Sequence, residues 1–157
     1  MNLYLVRHAE AVAMEKNSRR PLTRAGRRVS RRMARFLKTR KLRVAAIWHS
    51  RLDRSVQTAQ ILAEAVTSQS GLVQRTDLKP ESPIRSAIRA LEAQADDIMI
   101  VGHLPHLEKL ASRLLARRKS AGVIDLAKGG IACLQRSDHR RWRIRWLVIP
   151  DLVGRLS

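Results

Sequence analysis

Cysteine and aromatic residues are scarce in this sequence of 157 residues. Cys133 is the only cysteine, which excludes an intrachain disulfide and is typical of proteins in a reducing compartment. One Phe and one Tyr stand beside three Trp, although hydrophobic residues make up 45% of the chain. We therefore expect a globular protein whose core consists mainly of aliphatic side chains.

Acidic residues are also few. The chain has 13 Asp and Glu against 32 Lys and Arg, which gives a formal net charge of +19 at pH 7. Such an excess attracts polyanions or anionic substrates over several ångströms, and the charge alone does not choose between them. A nucleic acid is not the favoured partner, but the charge does not exclude it.

Long apolar runs are absent, and none approaches the ~20 residues of a membrane-spanning helix. The first apolar run, Leu3 to Val6, meets Arg7 and His8 at once and is too short for a signal peptide. We expect a soluble, cytoplasmic protein without membrane association. Its length fits a single domain over residues 1–157.

Short apolar runs alternate with longer segments of helical period, which favours a three-layer α/β/α sandwich around a mostly parallel sheet. The predicted strands are Leu3 to Val6, Val44 to Trp48, Ile98 to Val101, Gly130 to Leu134 and Trp142 to Ile149. The predicted helices are Thr23, as an N-cap, to Leu37, Asp53 to about Val66, Ser82 to Leu91 and Pro105 to Arg117. The predicted loops include Thr67 to Gly71 and Lys119 to Gly122.

Two further patterns concern the surface. Trp142 and Trp146 are four residues apart in a predicted strand, so we expect them to share one face of the sheet. The first helix has a row of arginines opposite its apolar face, which is most simply a solvated face but could dock an acidic protein or a nucleic acid. The row consists of Arg24, Arg27, Arg28, Arg31, Arg32 and Arg35.

Histidine and arginine residues follow three predicted strands. Arg7 and His8 follow the first, Arg54 lies one helical turn beyond the second, and His103 follows the third. Because an open parallel sheet binds ligands at the carboxyl ends of its strands, we expect these side chains to meet. Guanidinium groups bind phosphate oxygens, helix N-termini add N–H donors, and an unprotonated imidazole is a nucleophile. The set predicts phosphoryl transfer.

The same segments resemble a known family, the histidine phosphatase superfamily. Leu3 to Ala11 resembles its opening Arg-His motif, and Arg20 to Gly26 resembles a segment of its small phosphohistidine phosphatase branch, called SixA-like. Ser50 to Ala59 is similar to the family's Ser-Pro-x-x-Arg-Ala-x-x-Thr-Ala segment, with Arg51 in place of the proline. Val101 to Pro105 is similar to the second histidine motif.

This resemblance implies a phosphoglycerate mutase-like fold and a phosphohistidine intermediate, with no metal or organic cofactor. By position, His8 would accept the phosphoryl group, and His103 would donate a hydrogen bond to it. The implied phosphate ligands are Arg7, Arg54, His103, Arg20 and the backbone at Leu104.

The proton donor is not evident from the sequence. Larger relatives supply a carboxylic acid to the leaving group, and the candidates here by proximity in sequence are Glu10 and Glu81. The lack of a clear acid favours a phosphoramidate substrate, because imidazole leaves phosphorus without the strong acid assistance that an alkoxide needs. The His-x-x-His spacing of His103 and His106 lacks nearby further ligands and does not predict a metal site.

The sequence is therefore compatible with three functions. The favoured function is a phosphohistidine phosphatase that acts on a partner protein in signal transduction. A phosphomonoesterase for a small metabolite would use the same site with a different leaving group. A hypothesis of another class is a non-catalytic basic module that binds a nucleic acid or an acidic protein.

Overall fold

A computed structural model describes residues 1–118 and 122–154. The strands are β1 (Asn2–Arg7), β2 (Arg43–Val44), β3 (Ala46–His49), β4 (Thr67–Ser68), β5 (Leu72–Gln74), β6 (Ile98–Gly102), β7 (Ile131–Arg136) and β8 (Trp142–Val148). The α-helices are α1 (Arg24–Thr39), α2 (Asp53–Ala63), α3 (Ile84–Glu92) and α4 (His106–Ala116). Two 3₁₀ helices span Thr76–Leu78 and Pro150–Leu152.

Six strands form the central sheet in the order β5-β3-β6-β1-β7-β8. The pairs β5–β3, β3–β6 and β6–β1 are parallel, whereas β7 pairs antiparallel with both β1 and β8. The predicted mostly parallel sheet is confirmed. Its parallel part brings the carboxyl ends of β1, β3 and β6 side by side at one edge.

Helices cover both faces of this sheet, as predicted. Side chains alternate along β1, so Tyr4 and Val6 pack on one face while Leu3 and Leu5 pack on the other. The first face is covered by α1 and α2, and the second by α3 and α4. The core on each face is mainly aliphatic, in agreement with the composition.

The predicted N-cap of α1 is confirmed, and it fixes the helix against the segment after β1. The Thr23 hydroxyl accepts a hydrogen bond from the Gly26 N–H at 2.9 Å and donates to Glu10 Oε1 at 2.6 Å. A Cβ on Gly26 would lie 2.1 Å from the Glu10 carbonyl oxygen, so only glycine permits this approach. The start of the helix therefore packs against Glu10, which lies two residues along the chain from His8.

Several short elements differ from the sequence predictions. The strand predicted from Val44 to Trp48 is interrupted at Ala45, which divides it into β2 and β3. The loop predicted from Thr67 to Gly71 contains β4, which pairs with β2 in a separate two-stranded sheet. Strands of two or three residues, including β5, are too short to show an alternating pattern. Of the loop predicted at Lys119 to Gly122, residues 119–121 lie outside the described residues.

The expectation that Trp142 and Trp146 share a face is wrong. Trp142 packs with the core under α3 and α4, whereas Trp146 packs with the core under α1 and α2 and lies 6.0 Å from the Tyr4 ring. The register of β7 against β8 shifts between Cys133 and Leu134, which marks a β-bulge. The extra residue reverses the alternation of side chains along β8.

The helices of residues 1–118 and 122–154 include none with the length and apolar character needed to cross a membrane.

Candidate active site

The carboxyl ends of β1, β3 and β6 bring two histidines and a serine together. The His8 N–H donates to the Gly102 carbonyl at 3.0 Å, which joins the ends of β1 and β6. The His8 and His103 rings have centroids 5.0 Å apart. Ser50 Oγ, just after β3, lies 2.5 Å from His103 Nε2. The structure thus brings together the two histidines that the sequence placed at separate strand ends.

His8 is held in a defined tautomer. Its Nδ1 lies 2.7 Å from the Ala9 carbonyl oxygen, which can only accept, so Nδ1 carries the proton and Nε2 has a free lone pair. Burial lowers the pKa of His8 to about 4, although the hydrogen bond to Ala9 acts in the opposite direction. The charges of Arg54, Arg7 and Arg20 lower this pKa further. At neutral pH His8 is therefore an uncharged imidazole with Nε2 available.

His103 is 1% exposed and is also neutral. Burial lowers the pKa of His103 to about 2, and the neighbouring His8 and Arg54 lower it further. Ser50 Oγ accepts from the Leu52 N–H at 3.3 Å, and its own proton has no acceptor other than His103 Nε2 among the described residues, so we interpret the Ser50 hydroxyl as the donor to His103 Nε2. The ring proton of His103 then lies on Nδ1, a buried atom without a hydrogen-bond partner among the described residues.

Two arginines bring uncompensated positive charge to these histidines. Arg7 donates from Nη1 to the Leu126 carbonyl at 3.0 Å. The Nε atoms of Arg7 and Arg54 are buried and have no hydrogen-bond partner within the described part of the chain. Burial and the charge of Arg20 lower the pKa of Arg54. A half-buried guanidinium group whose Nε–H has no acceptor is costly, so this arrangement suits an anion with several acceptor oxygens.

Arg20, in the segment that precedes α1, adds its positive charge near His8 and Arg54. Its backbone has a φ of 50°, which is rare for a residue with a side chain, and its Nε donates to the Val12 carbonyl at 3.1 Å. The Leu22 N–H donates to Gln57 Oε1 at 2.8 Å, which fixes this segment to α2. The predicted anion ligand is therefore held within electrostatic range of His8.

An open cleft of about 390 Å³ adjoins this group at Arg20 and Arg54, whereas Arg7, His8 and His103 are not among its lining residues. Its wall has an ion pair between Arg19 Nε and Asp53 Oδ2 at 3.0 Å, while the neighbouring cations have no such partner within 4.0 Å among the described residues. The cleft therefore has an excess of positive charge. Its lining residues are Met14, Ser18, Arg19, Arg20, Arg51, Leu52, Asp53 and Arg54.

Polar side chains on the inner face of α2 position Arg54, and sequence reasoning missed them. Ser55 Oγ donates to the Val101 carbonyl at 2.8 Å and so joins the start of α2 to β6. Thr58 Oγ1 accepts from the Ala9 N–H at 3.2 Å and donates to the Arg54 carbonyl at 2.8 Å. One threonine thus links the segment after His8 to the arginine. The sequence did contain one indication of this role: Ser55 and Thr58 occupy positions on the inner face of α2 where the helical repeat predicts apolar residues.

A glycine turn supports β1 from the other side. The Gly129 N–H donates to the Arg7 carbonyl at 3.0 Å and to the His8 carbonyl at 3.3 Å. Gly129 has a φ of 77°, and a Cβ there would lie 2.6 Å from a methyl carbon of Val29. The backbone of the Arg7-His8 pair is therefore fixed by a position that requires glycine.

The second histidine motif leads into α4. Leu104 is half-buried and directly follows His103, two residues after the end of β6. The helix begins at His106, one residue later than predicted, after a cis Leu104–Pro105 bond. His106 is fully buried, and burial lowers its pKa.

The candidate acids have a weaker connection to the site. Glu10 is exposed, and its carboxylate accepts from the Thr23 hydroxyl. Glu81 is exposed on the turn before α3. No group of three or more His, Cys, Asp and Glu side chains that could hold a metal ion occurs in residues 1–118 and 122–154.

Comparisons with known proteins agree with this geometry. The family model of the histidine phosphatase superfamily (branch 1) matches residues 3–79. This range contains Arg7, His8, Arg20 and Arg54 and ends before His103. No curated protein matches in a sequence search.

Solved structures match almost the whole chain. The protein histidine phosphatase SixA complexed with tungstate has a TM-score of 0.83 and 23% identity, covering 98% of this chain and 100% of its own. A protein of Agrobacterium tumefaciens assigned as a phosphohistidine phosphatase SixA has a TM-score of 0.75 and 24% identity, covering 95% and 97%. A protein of Escherichia coli K-12 assigned as an alpha-ribazole-5'-P phosphatase has a TM-score of 0.79 and 17% identity, covering 98% and 99%.

The predicted phosphoglycerate mutase-like fold is confirmed by these matches. The family model covers Arg7, His8, Arg20 and Arg54. These residues lie at the end of β1, in the segment before α1 and at the start of α2, which meet in the fold. Residues 3–79, just under half of the chain, are therefore similar to the histidine phosphatase superfamily (branch 1), and nearly the whole chain shares the fold of these solved structures.

Proposed function

We propose that this chain is a phosphatase that forms a phosphohistidine on His8 and removes phosphoryl groups from phosphohistidine on a partner protein. One observation carries the proposal: a neutral imidazole with a free Nε2 lies near Arg7 and Arg54, whose buried Nε atoms lack hydrogen-bond partners among the described residues. The match of residues 3–79 to the superfamily model and the fold shared with the phosphatase SixA add support.

In the proposed first step, Nε2 of His8 attacks phosphorus, and the bond between phosphorus and the substrate nitrogen breaks. The displaced imidazole takes a proton from water. Arg7 and Arg54 would bind the equatorial oxygens, on which charge is spread during transfer. The Nδ1–H of His103 would donate to the same phosphoryl group.

In the second step, water attacks phosphorus and the bond to His8 Nε2 breaks. One proton of the attacking water stays on the departing phosphate, the other neutralises the hydroxide left in the first step, and His8 returns to its neutral form. The hydrogen bond from Nδ1 to the Ala9 carbonyl persists throughout, so the same lone pair on Nε2 is available for the next cycle.

The placement of the acidic residues favours a phosphoramidate over an alkyl phosphate. Glu10 is engaged with Thr23, and Glu81 is exposed on a turn, so neither has a contact that aims its carboxyl group at His8. An imidazole leaving group needs less protonation than an alkoxide. A small-metabolite phosphomonoesterase is the second candidate, because the fold also matches a protein assigned as an alpha-ribazole-5'-P phosphatase.

A comparison of kcat/KM on different substrates distinguishes the two candidate functions. We expect a higher kcat/KM on phosphoramidate and on a histidine-phosphorylated protein than on an aryl phosphate such as p-nitrophenyl phosphate. The reverse order would replace the proposed substrate with a phosphate monoester. His8→Ala should lower kcat by at least about 10⁴-fold on every substrate. His139→Ala, on an exposed turn, is the matched histidine control and should retain activity.

A further inference from the structure

The solvent face of α1 has an unbalanced line of positive charge. Five exposed cations recur at steps of four, three, four and three residues, and we call them the basic stripe. No acidic residue occurs between Arg24 and Thr39, and no stripe residue has an ion pair within the described residues. The stripe consists of Arg24, Arg28, Arg31, Arg35 and Lys38.

This arrangement disfavours the isolated helix. Cations three and four residues apart on a helix face repel one another, and acids at those positions would attract them. The stripe repeats the unfavourable spacing four times in succession. The stability of the helix therefore does not account for the basic stripe, whereas a function in binding an anionic partner does.

The position of the stripe connects it with the proposed active site. The helix begins at Arg24, next to the Thr23 that binds Glu10, and the stripe extends from there for about 21 Å along the helix. The intervening segment brings Met14, 58% exposed, and Arg19 to the mouth of the cleft. Methionine and arginine are enriched at protein–protein interfaces.

From these observations we infer that the basic stripe is the docking surface for an acidic face of the phosphorylated partner protein. This inference rests on the proposed function, because the partner's phosphohistidine would enter the cleft while its acidic residues contact α1. A small phosphorylated metabolite bound in the cleft would not reach Arg31 or Arg35, which lie about 10 and 16 Å along the helix from its start.

The surface around the stripe fits a protein better than a nucleic acid. Single-stranded nucleic acids stack their bases on exposed aromatic rings. Phe36 packs edge-on against Trp146, and Arg40 covers its ring. The exposed large hydrophobic residues of the described chain are Met14, Leu72, Ile144 and Leu152, none of which is aromatic.

The test uses matched charge reversals on two helices. Arg31→Glu/Arg35→Glu changes the stripe, and Arg85→Glu/Arg89→Glu changes an exposed pair of the same spacing on α3, across the sheet. Each variant lowers the formal net charge from +19 by four, to +15, so an effect of total charge would be equal in both. All four side chains are exposed, so both variants should fold.

The probes are two phosphohistidine peptides that differ only in their flanks. One has about ten Glu and Asp residues on each side, long enough to span the stripe, and the other has Gln and Asn. We expect the wild type to prefer the acidic peptide by about 10-fold in kcat/KM at low salt, mainly through KM. The stripe variant should lose this preference, the α3 variant should keep it, and turnover of phosphoramidate should change by less than about 2-fold in both.

Two results would overturn the docking inference. One is an equal preference for the acidic peptide in the wild type and the stripe variant. The other is a stripe variant that loses binding to duplex DNA while its peptide kinetics stay unchanged, which would make α1 a nucleic-acid surface. Binding of the unphosphorylated acidic peptide, measured by fluorescence anisotropy, tests the stripe without turnover. Failure of every phosphorylated substrate in the wild type would instead overturn the proposed phosphatase function.

Discussion

At the scale of single residues, His8 differs from an ordinary exposed histidine in its fixed tautomer and in its surroundings. The Ala9 carbonyl holds the proton on Nδ1, and burial with nearby arginines keeps the ring neutral. A lowered pKa also makes a nitrogen a weaker base. The guanidinium groups of Arg7 and Arg54 compensate in this account, because they would stabilise the charge on the phosphoryl oxygens in the transition state.

In the proposed mechanism, Ser50 would affect the same chemistry through its hydrogen bond to His103. Removing its hydroxyl in Ser50→Ala leaves His103 Nε2 free to carry the proton, so Nδ1 loses its hydrogen in part of the molecules. We expect kcat to fall by about 10- to 100-fold with a smaller change in KM, in the range seen when a supporting hydrogen bond to a functional histidine is removed. Steady-state kinetics on phosphoramidate measure this effect.

Nitrogen NMR distinguishes positioning from a general loss of structure. Wild-type His103 should show a protonated Nδ1, and the variant should show a mixture of tautomers or Nε2 protonation. Ser82→Ala, at a half-buried serine whose Oγ donates to the Thr76 carbonyl at 3.4 Å, is the control and should leave kcat unchanged. An unchanged His103 tautomer in Ser50→Ala together with full activity would contradict the assigned role.

At the scale of elements, the strand ends explain why much of the site was predictable. Arg7, His8 and His103 directly follow β1 and β6, and apolar runs of four or more residues make such strands visible in sequence. The parallel sheet then places their ends together. The approximate bounds of α1, α2, α3 and α4 were also predicted, because their apolar residues recur at helical spacing.

Other features depend on tertiary contacts and could not be predicted. Ser55 and Thr58 are buried polar residues whose partners are backbone groups of distant segments. The bulge that separates Trp142 from Trp146 requires the register of two strands. The strands β2 and β4 have two residues each, and strands of that length are too short to show an alternation of polar and apolar residues in the sequence.

Gly26 packs α1 against Glu10 in the segment after His8, and we expect its substitution by alanine to destabilise the protein. Alanine normally stabilises a helix relative to glycine by about 1 kcal/mol. A methyl group at this position would lie 2.1 Å from the Glu10 carbonyl oxygen, a backbone atom that cannot yield without moving the segment after His8. We expect Gly26→Ala to lower the free energy of unfolding by about 1–3 kcal/mol and also to lower kcat.

Urea unfolding and steady-state kinetics measure the two effects. Gly154→Ala is the matched control, because a Cβ at that position meets nothing within 4 Å. A Gly26→Ala protein that is more stable than the wild type and fully active would show that the close approach of α1 to Glu10 is not required.

At the scale of the whole molecule, the buried histidines couple stability to pH. The unfolded chain takes up protons on histidine near pH 6.5, whereas folded His8 and His103 remain neutral down to about pH 4 and about pH 2. The unfolded state therefore binds more protons in this window. Stability is greatest above pH 6.5 and falls as the pH decreases, by about 2 kcal/mol for each histidine between pH 7 and pH 5.

Chemical denaturation at the two pH values tests this coupling. His103→Asn should reduce the loss of stability between pH 7 and pH 5, whatever its effect on stability at pH 7. His139→Gln removes an exposed histidine and should leave the pH dependence unchanged. Equal pH dependence in the wild type and His103→Asn would contradict the neutral, buried state of His103.

The central claim is that His8 takes up the phosphoryl group on Nε2. Brief incubation with labelled phosphoramidate, followed by denaturation in base and peptide mapping by mass spectrometry, tests it directly. The account predicts one acid-labile, base-stable phosphoryl group on the peptide that contains His8, absent from His8→Ala and present in His139→Ala. A label on another residue, or turnover by His8→Ala at the wild-type rate, would contradict it.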